Sequence, residues 1–261
     1  MKKILAISGS DTLSGGGLQA DLRTFYEYGL QAKQLLTCMV TIDQLVDGVT
    51  VYDLKKEVLI KELDFIKKQK LDGIKVGMLA NLETAELISE YLSTQDRPVV
   101  LDPVLALKES QYTGNKEIVP FFKKVLLPKS TVTTPNLREA ELLSGISSIK
   151  TTDEMKEAAK IIFETGVTYV VIKGGERLDK QIARDILYDG HMFVQYDNPI
   201  INNGYINGAG CTFASAICAN LVNQLPIEKA VADAKTFVFN AIENGVTFTP
   251  ELGNVWQQAK E

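Results

Sequence analysis

The segment Tyr205-Ile206-Asn207-Gly208-Ala209-Gly210-Cys211-Thr212 places a glycine-rich turn directly before the apolar stretch Phe213-Ala214-Ser215-Ala216-Ile217. Gly208 and Gly210 accept backbone angles and close approaches that a β-carbon would obstruct. The amides of Gly208, Ala209, Gly210 and Cys211 can then point outward together at a helix N-terminus. Unpaired donors and partial positive charge there suit a phosphate or a developing anion. Cys211 falls in the first turn, where the same field lowers a thiol pKa, so the spacing predicts a thiolate. Taken alone, the pattern fits a tight turn with a small buried cysteine equally well. A second group of residues adds chemistry. Asn136 stands three residues before Glu139, a capping-box spacing with Asn in place of Ser or Thr. The same spacing sets an amide oxygen beside a carboxylate, which suits a water-bearing Mg²⁺. Asp102 follows the apolar run 98–101, and Lys173-Gly174-Gly175 follows the apolar run 169–172. An anion-binding turn, a carboxylate and amide for a cation, and a nearby lysine form the set that phosphoryl transfer from a nucleotide requires.

The elements that must position these residues alternate along the chain. Residues 3–8 form a β-type run that leads through Gly9-Ser10-Asp11 and Ser14-Gly15-Gly16-Gly17 into a helical pattern over 18–28. That loop sits at the carboxyl end of a strand, where open α/β sheets place ligands. It is neither GxGxxG nor a Walker A loop, so neither a dinucleotide nor a P-loop site is predicted. Strands are predicted at 35–42, 49–52 (an edge strand), 74–76, 98–101, 131–134 and 169–172. Helices are predicted at 55–69, 82–93, 116–126, 152–165 and 227–244, beside the Cys211 helix. Asp43-Gln44 stand at the end of the second strand. Asp189-Gly190 between two β-type runs marks a hairpin added at a sheet edge, with His191 exposed beside it. Residues 105–114 read as a loop, and the segment containing Trp256 as a tail. The order βαβα predicts a mostly parallel sheet with helices on both faces, in one domain over 1–261.

Composition narrows the function classes. The 261 residues are 45% hydrophobic and 23% charged, with a formal net charge of −5 and no basic concentration to draw nucleic acid or an anionic membrane. No apolar run approaches the roughly 20 residues of a membrane span, and the first apolar run is too short for a signal peptide. Three widely spaced cysteines and a single histidine argue against a disulfide framework or a Cys/His zinc site and fit a reducing cytoplasm.

Six stretches in order carry a resemblance over essentially the whole chain. They are Gly9-Ser10-Asp11 with Ser14-Gly15-Gly16-Gly17-Leu18-Gln19-Ala20-Asp21-Leu22, Lys75-Val76-Gly77-Met78-Leu79, Leu101-Asp102-Pro103-Val104, Thr134-Pro135-Asn136-Leu137-Arg138-Glu139-Ala140, Lys173-Gly174-Gly175 and Gly208-Ala209-Gly210-Cys211-Thr212. Together they resemble the hydroxymethylpyrimidine kinase and pyridoxal kinase branch of the ribokinase-like family. The resemblance implies a three-layer α/β sandwich that uses ATP and Mg²⁺, and a homodimer. It places Gly208, Ala209, Gly210 and Cys211 in an anion hole, with Cys211 at the general-base position where most of the wider family has Asp. It assigns Asn136 and Glu139 to Mg²⁺ and the nucleotide phosphates through water. Asp102 falls to a carboxylate near the same metal, and Lys173 with Gly174 to the nucleotide phosphates. Asp11, Gly16, Val40, Asp43 and Met78 fall at positions lining a vitamin-ring pocket, and 105–114 corresponds to a lid.

The chain also departs from its relatives. Asn207 stands where they commonly have His, Thr41-Ile42-Asp43-Gln44-Leu45 differs from the pyrimidine kinases, and no second cysteine lies near Ala106-Leu107. The triple-glycine loop favours a kinase acting on the hydroxymethyl group of a B6 vitamer. The alternatives are a hydroxymethylpyrimidine and phosphomethylpyrimidine kinase of thiamin biosynthesis, and a non-catalytic nucleotide or vitamin sensor.

Overall fold

The computed structural model describes residues 1–43, 48–105, 117–249 and 252–258. The chain opens with β1 (Lys3–Asp11), α1 (Gly17–Glu27), β2 (Gln31–Asp43) and β3 (Gly48–Asp53). It continues through α2 (Lys56–Ile66), β4 (Gly73–Val76), α3 (Leu82–Leu92) and β5 (Val99–Leu101). After α4 (Ile118–Phe121) come a π-helical turn (Phe122–Leu126) and a 3₁₀ turn (Leu127–Lys129). Next are β6 (Val132–Thr133), α5 (Leu137–Ser144), α6 (Thr152–Phe163), β7 (Tyr169–Lys173), α7 (Gly175–Leu178), β8 (Ile182–Tyr188) and β9 (Phe193–Pro199). The chain closes with α8 (Ala209–Val222), α9 (Ile227–Glu243), β10 (Val246–Thr249) and β11 (Leu252–Asn254).

A nine-stranded sheet in the order β3-β2-β1-β4-β5-β6-β7-β8-β9 forms the middle layer. Strands β2, β1, β4, β5, β6 and β7 are parallel, while β3 and the β8–β9 hairpin pair antiparallel at the two edges. Alternation along each strand divides the core. Leu5, Ile7, Ile74 and Val76 pack with α2, α3, α5 and α6, whereas Ile4, Ala6 and Val100 pack with α1, α8 and α9. Strands buried on both faces read as continuous apolar runs, which is why Val99-Val100-Leu101 shows no polar alternation. The result is the three-layer α/β sandwich that the resemblance implies. From β1 the chain turns first to β2 on one side and later to β4 on the other, which opens a crevice at the carboxyl ends of the strands.

Three local expectations are corrected. The first strand does not stop at Ser8 but runs to Asp11, because Ser10 and Asp11 keep pairing with Met39 and Val40 after a register shift. The helix expected over 116–126 changes pitch after Phe121, ahead of Pro128. The tail, for which the sequence predicts no element, is preceded by one: β10 and β11 pair antiparallel, and an isolated bridge joins Asn254 to Asn207.

Candidate active site

Adjacent strand ends assemble the acidic half of the site. Lys173 ends β7, and its amide donates to the Pro135 carbonyl at 2.9 Å, so Asn136 and Lys173 lie side by side as a parallel bridge. The Asn136 side chain accepts from the Glu139 amide at 2.9 Å, and Glu139 Oε2 accepts from the Asn136 amide at 2.8 Å. The capping box expected from the sequence is therefore formed reciprocally, and it fixes the Glu139 carboxylate over the sheet edge. Asp102, just beyond β5, accepts at the same oxygen from Lys173 Nζ at 2.9 Å and from Thr134 Oγ1 at 3.0 Å. Asp102 and Glu139 are both buried. Burial pushes the Glu139 carboxyl up to about 8; Lys173 opposes this and the Asp102 carboxylate adds to it. Burial also works against the Lys173 ammonium, but Asp102 and Glu139 outweigh it and hold its pKa above the ordinary lysine value.

The glycine turn supplies the other half. Gly208 adopts φ +89 as the cap of α8, and a Cβ there would collide with the Gly15 carbonyl of the opening loop. Ala209, Gly210 and Cys211 follow as the first helical residues; the Ala209 amide does not point outward as expected but donates to the Ile206 carbonyl at 3.1 Å and closes the turn, which leaves Gly210 and Cys211 as the amides without helical partners. A Cβ on Gly210 would come within 3.4 Å of Lys173 Nζ, which places the ammonium at the mouth of the turn. The Gly17 amide donates toward the Cys211 sulfur, so the opening loop also reaches the proposed base. The thiolate expected from the helix terminus is not what the surroundings favour. Burial pushes the Cys211 thiol up to about 11; Lys75 pulls it down, and Asp21 and Asp102 push it further up. The correction is physical: the helix field is modest, while removing a thiolate from water is costly.

The residues expected to line the ring pocket stand at or just beyond the carboxyl-terminal parts of β1, β2 and β4. The Asp11 carboxylate accepts from the Gly16 amide at 3.0 Å and holds its own loop. Met78 packs with Cys38 and Ala80, and Val40 lies against that cluster. Asp43 ends β2, and its side chain lies outside the described residues, as do Gln44 and positions 106–114 of the expected lid. Gly174 has its amide bound by the Arg184 carbonyl at 2.8 Å and by Asp185 Oδ1 at 3.1 Å. His191 is exposed at the hairpin, as expected.

Several residues of the site carry no local signal. Asn207 donates to Asn254 Oδ1 at 2.8 Å, Asn254 donates to the Leu13 carbonyl at 2.9 Å, and Gln257 donates to Thr212 Oγ1 at 3.1 Å. The C-terminal hairpin thus fastens both glycine loops, a contact between segments about as far apart as the chain allows. Asp21 and Lys75 did leave a trace: Asp21 interrupts the apolar stripe Leu18, Leu22 and Phe25, and Lys75 stands inside an apolar strand.

Among the described residues no helix is long and apolar enough to cross a membrane, and no group of three or more His, Cys, Asp or Glu is arranged to hold a metal. The pyridoxal kinase of Staphylococcus aureus, solved with ADP, superposes with a TM-score of 0.94 at 40% identity, covering 99% of this chain and 94% of that one. The same enzyme has been solved with AMP-PCP and with pyridoxal. The pyridoxine kinase of Bacillus subtilis is 36% identical over 97% of this chain and 94% of its own length. The hydroxymethylpyrimidine/phosphomethylpyrimidine kinase of the same organism is 37% identical over 93% and 89%. The family model described as phosphomethylpyrimidine kinase matches residues 11–256, nearly the whole chain, so the chain belongs to the phosphomethylpyrimidine kinase family of ribokinase-like phosphotransferases.

Proposed function

We propose that this chain is an ATP-dependent kinase that phosphorylates the hydroxymethyl group of a B6 vitamer. The observation that carries the reading is the convergence of Lys173, Asp102 and Glu139 with the Gly208–Cys211 turn at one sheet edge. Lys173 and the turn amides would hold the transferring phosphate, Cys211 would receive the hydroxyl proton, and Asp11, Gly16, Val40, Asp43 and Met78 would border the ring. The pyridoxal and nucleotide complexes of the S. aureus enzyme support this choice. The B. subtilis hydroxymethylpyrimidine kinase supports a second reading, in which that pyrimidine and its monophosphate are the acceptors. Parallel kcat/KM values for pyridoxal, pyridoxine and hydroxymethylpyrimidine with Mg-ATP test the first reading. It fails if hydroxymethylpyrimidine is the preferred acceptor, and a lack of product from all three would favour the sensor.

The donor set fits Mg²⁺. Two buried carboxylates, Asp102 and Glu139, face one cluster, and Glu139 is destabilised in its charged form until a further positive charge arrives. One or two carboxylates completed by water and phosphate is the usual protein share of a Mg²⁺ site. When bound, the ion supplies charge neutralisation at the phosphates. Glu139→Gln is expected to raise the Mg²⁺ concentration for half-maximal rate several-fold with little change in ring affinity. Without metal, the wild-type chain should lose stability as pH rises from about 4.5 to about 8. Over that range the unfolded chain has released a proton that the folded chain retains. The Gln variant should lack that slope, and matching Mg²⁺ titrations and pH–stability curves would reduce Glu139 to a helix cap.

The homodimer is part of the same proposal. Strands β2 and β3 expose Met39 at 53% and Tyr52 at 57%, neighbours across the antiparallel pair. Such large apolar side chains on one sheet face are suited to a second copy. Tyr52→Arg should shift the mass measured by light scattering from two chains to one; a monomeric wild type would end this part of the proposal.

A further inference from the structure

Beneath the proposed base lies a charged group that none of the roles above uses. Alternation along β4 turns Ile74 and Val76 to one helix layer and Lys75 to the other, among the apolar side chains around α1 and α8. Lys75 Nζ lies 2.7 Å and 2.9 Å from the two carboxylate oxygens of Asp21, and both side chains are fully buried. Ser215 Oγ donates to Asp21 Oδ1 at 2.7 Å. Ser215 follows Cys211 by four residues on α8, so the two share one face of the helix, one turn apart. At the other end, a Cβ on Gly77 would come within 2.8 Å of Lys75 Nζ, which puts the ammonium under the strand end that leads to Met78.

Stability is a poor reason for such a pair. Apolar residues of similar volume often replace a buried ion pair at no cost or with a gain. The charge has a second neighbour, however. The charged groups whose fields reach Cys211 are Lys75 from β4, Asp21 from α1, Asp102 beyond β5 and Lys173 at the end of β7. Burial opposes the Lys75 ammonium, but the two short contacts to Asp21 keep it protonated, with Cys211 and Asp102 adding to the effect. Of the charges acting on the Cys211 thiol, Lys75 has the largest influence and favours the thiolate.

We propose that Lys75 and Asp21 are positioning residues for Cys211: Lys75 supplies a fixed positive charge under the sulfur, and Asp21, through Ser215, sets the helix turn that carries it. Burial raises the cost of removing the thiol proton, and Lys75, held charged by Asp21, offsets part of it inside the protein before any substrate arrives. The assignment rests on Cys211 as the proposed base, but thiol acidity can be read without turnover.

The test is the rate of Cys211 carboxamidomethylation by iodoacetamide at fixed pH, followed by mass spectrometry of the Cys211 peptide, with Cys211→Ala as the blank. The double variant Lys75→Met/Asp21→Asn leaves no unpaired buried charge, so it should fold, as circular dichroism and thermal unfolding would show. Its Cys211 is expected to react about tenfold more slowly than wild type, the consequence of a thiol pKa raised by about one pH unit. Asp21→Asn alone removes the two contacts that keep Lys75 protonated, so the buried lysine is expected to lose its proton and Cys211 to slow about as much as in the double variant. A purely structural pair has no reason to slow Cys211 in a variant that folds. Equal rates for wild type and the folded double variant, or a faster Cys211 in either variant, would overturn the proposal. Full turnover by Cys211→Ala would instead remove Cys211 as base and leave the acidity result standing.

Discussion

Cys211→Ala is expected to fold as the parent chain does, to retain nucleotide binding, and to lose at least about 10²-fold in kcat, the usual scale for a positioned general base. The substitution removes one sulfur from the first turn of α8 and puts the best helix former in its place, so the scaffold has little reason to respond. The other two cysteines cannot take over, because Cys38 and Cys218 are both buried and Cys38 belongs to a separate apolar cluster. With the thiol pushed up to about 11, wild-type kcat should climb as pH rises above neutrality, since the reactive form grows tenfold with each pH unit below that value. Cys211→Asp should keep more activity than the Ala variant and should level off at a lower pH than wild type, because a carboxyl is several pH units more acidic than a thiol in the same surroundings. Steady-state rates across pH for the three proteins decide the matter. Equal turnover by the Ala variant and wild type would leave Cys211 only a packing role.

Gly208→Ala is the second substitution with a large expected effect, and it acts on fold and chemistry together. The φ of +89 costs an L-residue roughly 1–2 kcal/mol, and forcing a methyl into the Gly15 carbonyl adds roughly 1–3 kcal/mol. The expected loss of stability is therefore about 2–5 kcal/mol. Because the clash is between two backbones, relief must move either the anion-binding turn or the substrate loop. Either movement misaims donors that must meet a developing charge, and kcat should fall by about 10²-fold in the protein that remains folded. Gly204→Ala is the matched control: its φ is +76, but a Cβ there meets nothing within 4 Å. Denaturant unfolding should show a small loss for Gly204→Ala and a much larger one for Gly208→Ala. Coincident unfolding curves would mean that the two loops are not locked at Gly208.

The acidic half of the site was legible because its signals are local. Asn136 and Glu139 sit three residues apart at a helix start, and that spacing is sufficient to form the reciprocal cap. Asp102 and Lys173 stand where apolar runs end, and in a parallel sheet such positions share one edge, so their meeting at 2.9 Å follows from the alternation of strands and helices. The state of Cys211 was misread for the complementary reason. Its position in the first helical turn is a local fact, but the burial that dominates its acidity comes from many residues distant in sequence.

By itself the sequence determined the alternation of elements, the two-sided burial of the central strands, the edge hairpin at Asp189-Gly190 and the six motifs that belong to one sheet edge. All of these depend on periodicity, turn chemistry and capping, whose reach is a few residues. Only the tertiary structure decided that Lys75 pairs with Asp21 under α8, that Asp185 holds the Gly174 amide, and that Asn254 and Gln257 return from the C-terminal segment to fasten both glycine loops. The cost of burying a charge or leaving a donor unpaired depends on every group packed around it. Those groups are gathered from elements up to 241 residues apart, as in the bond from Asn254 to Leu13, and no window along the chain contains both ends.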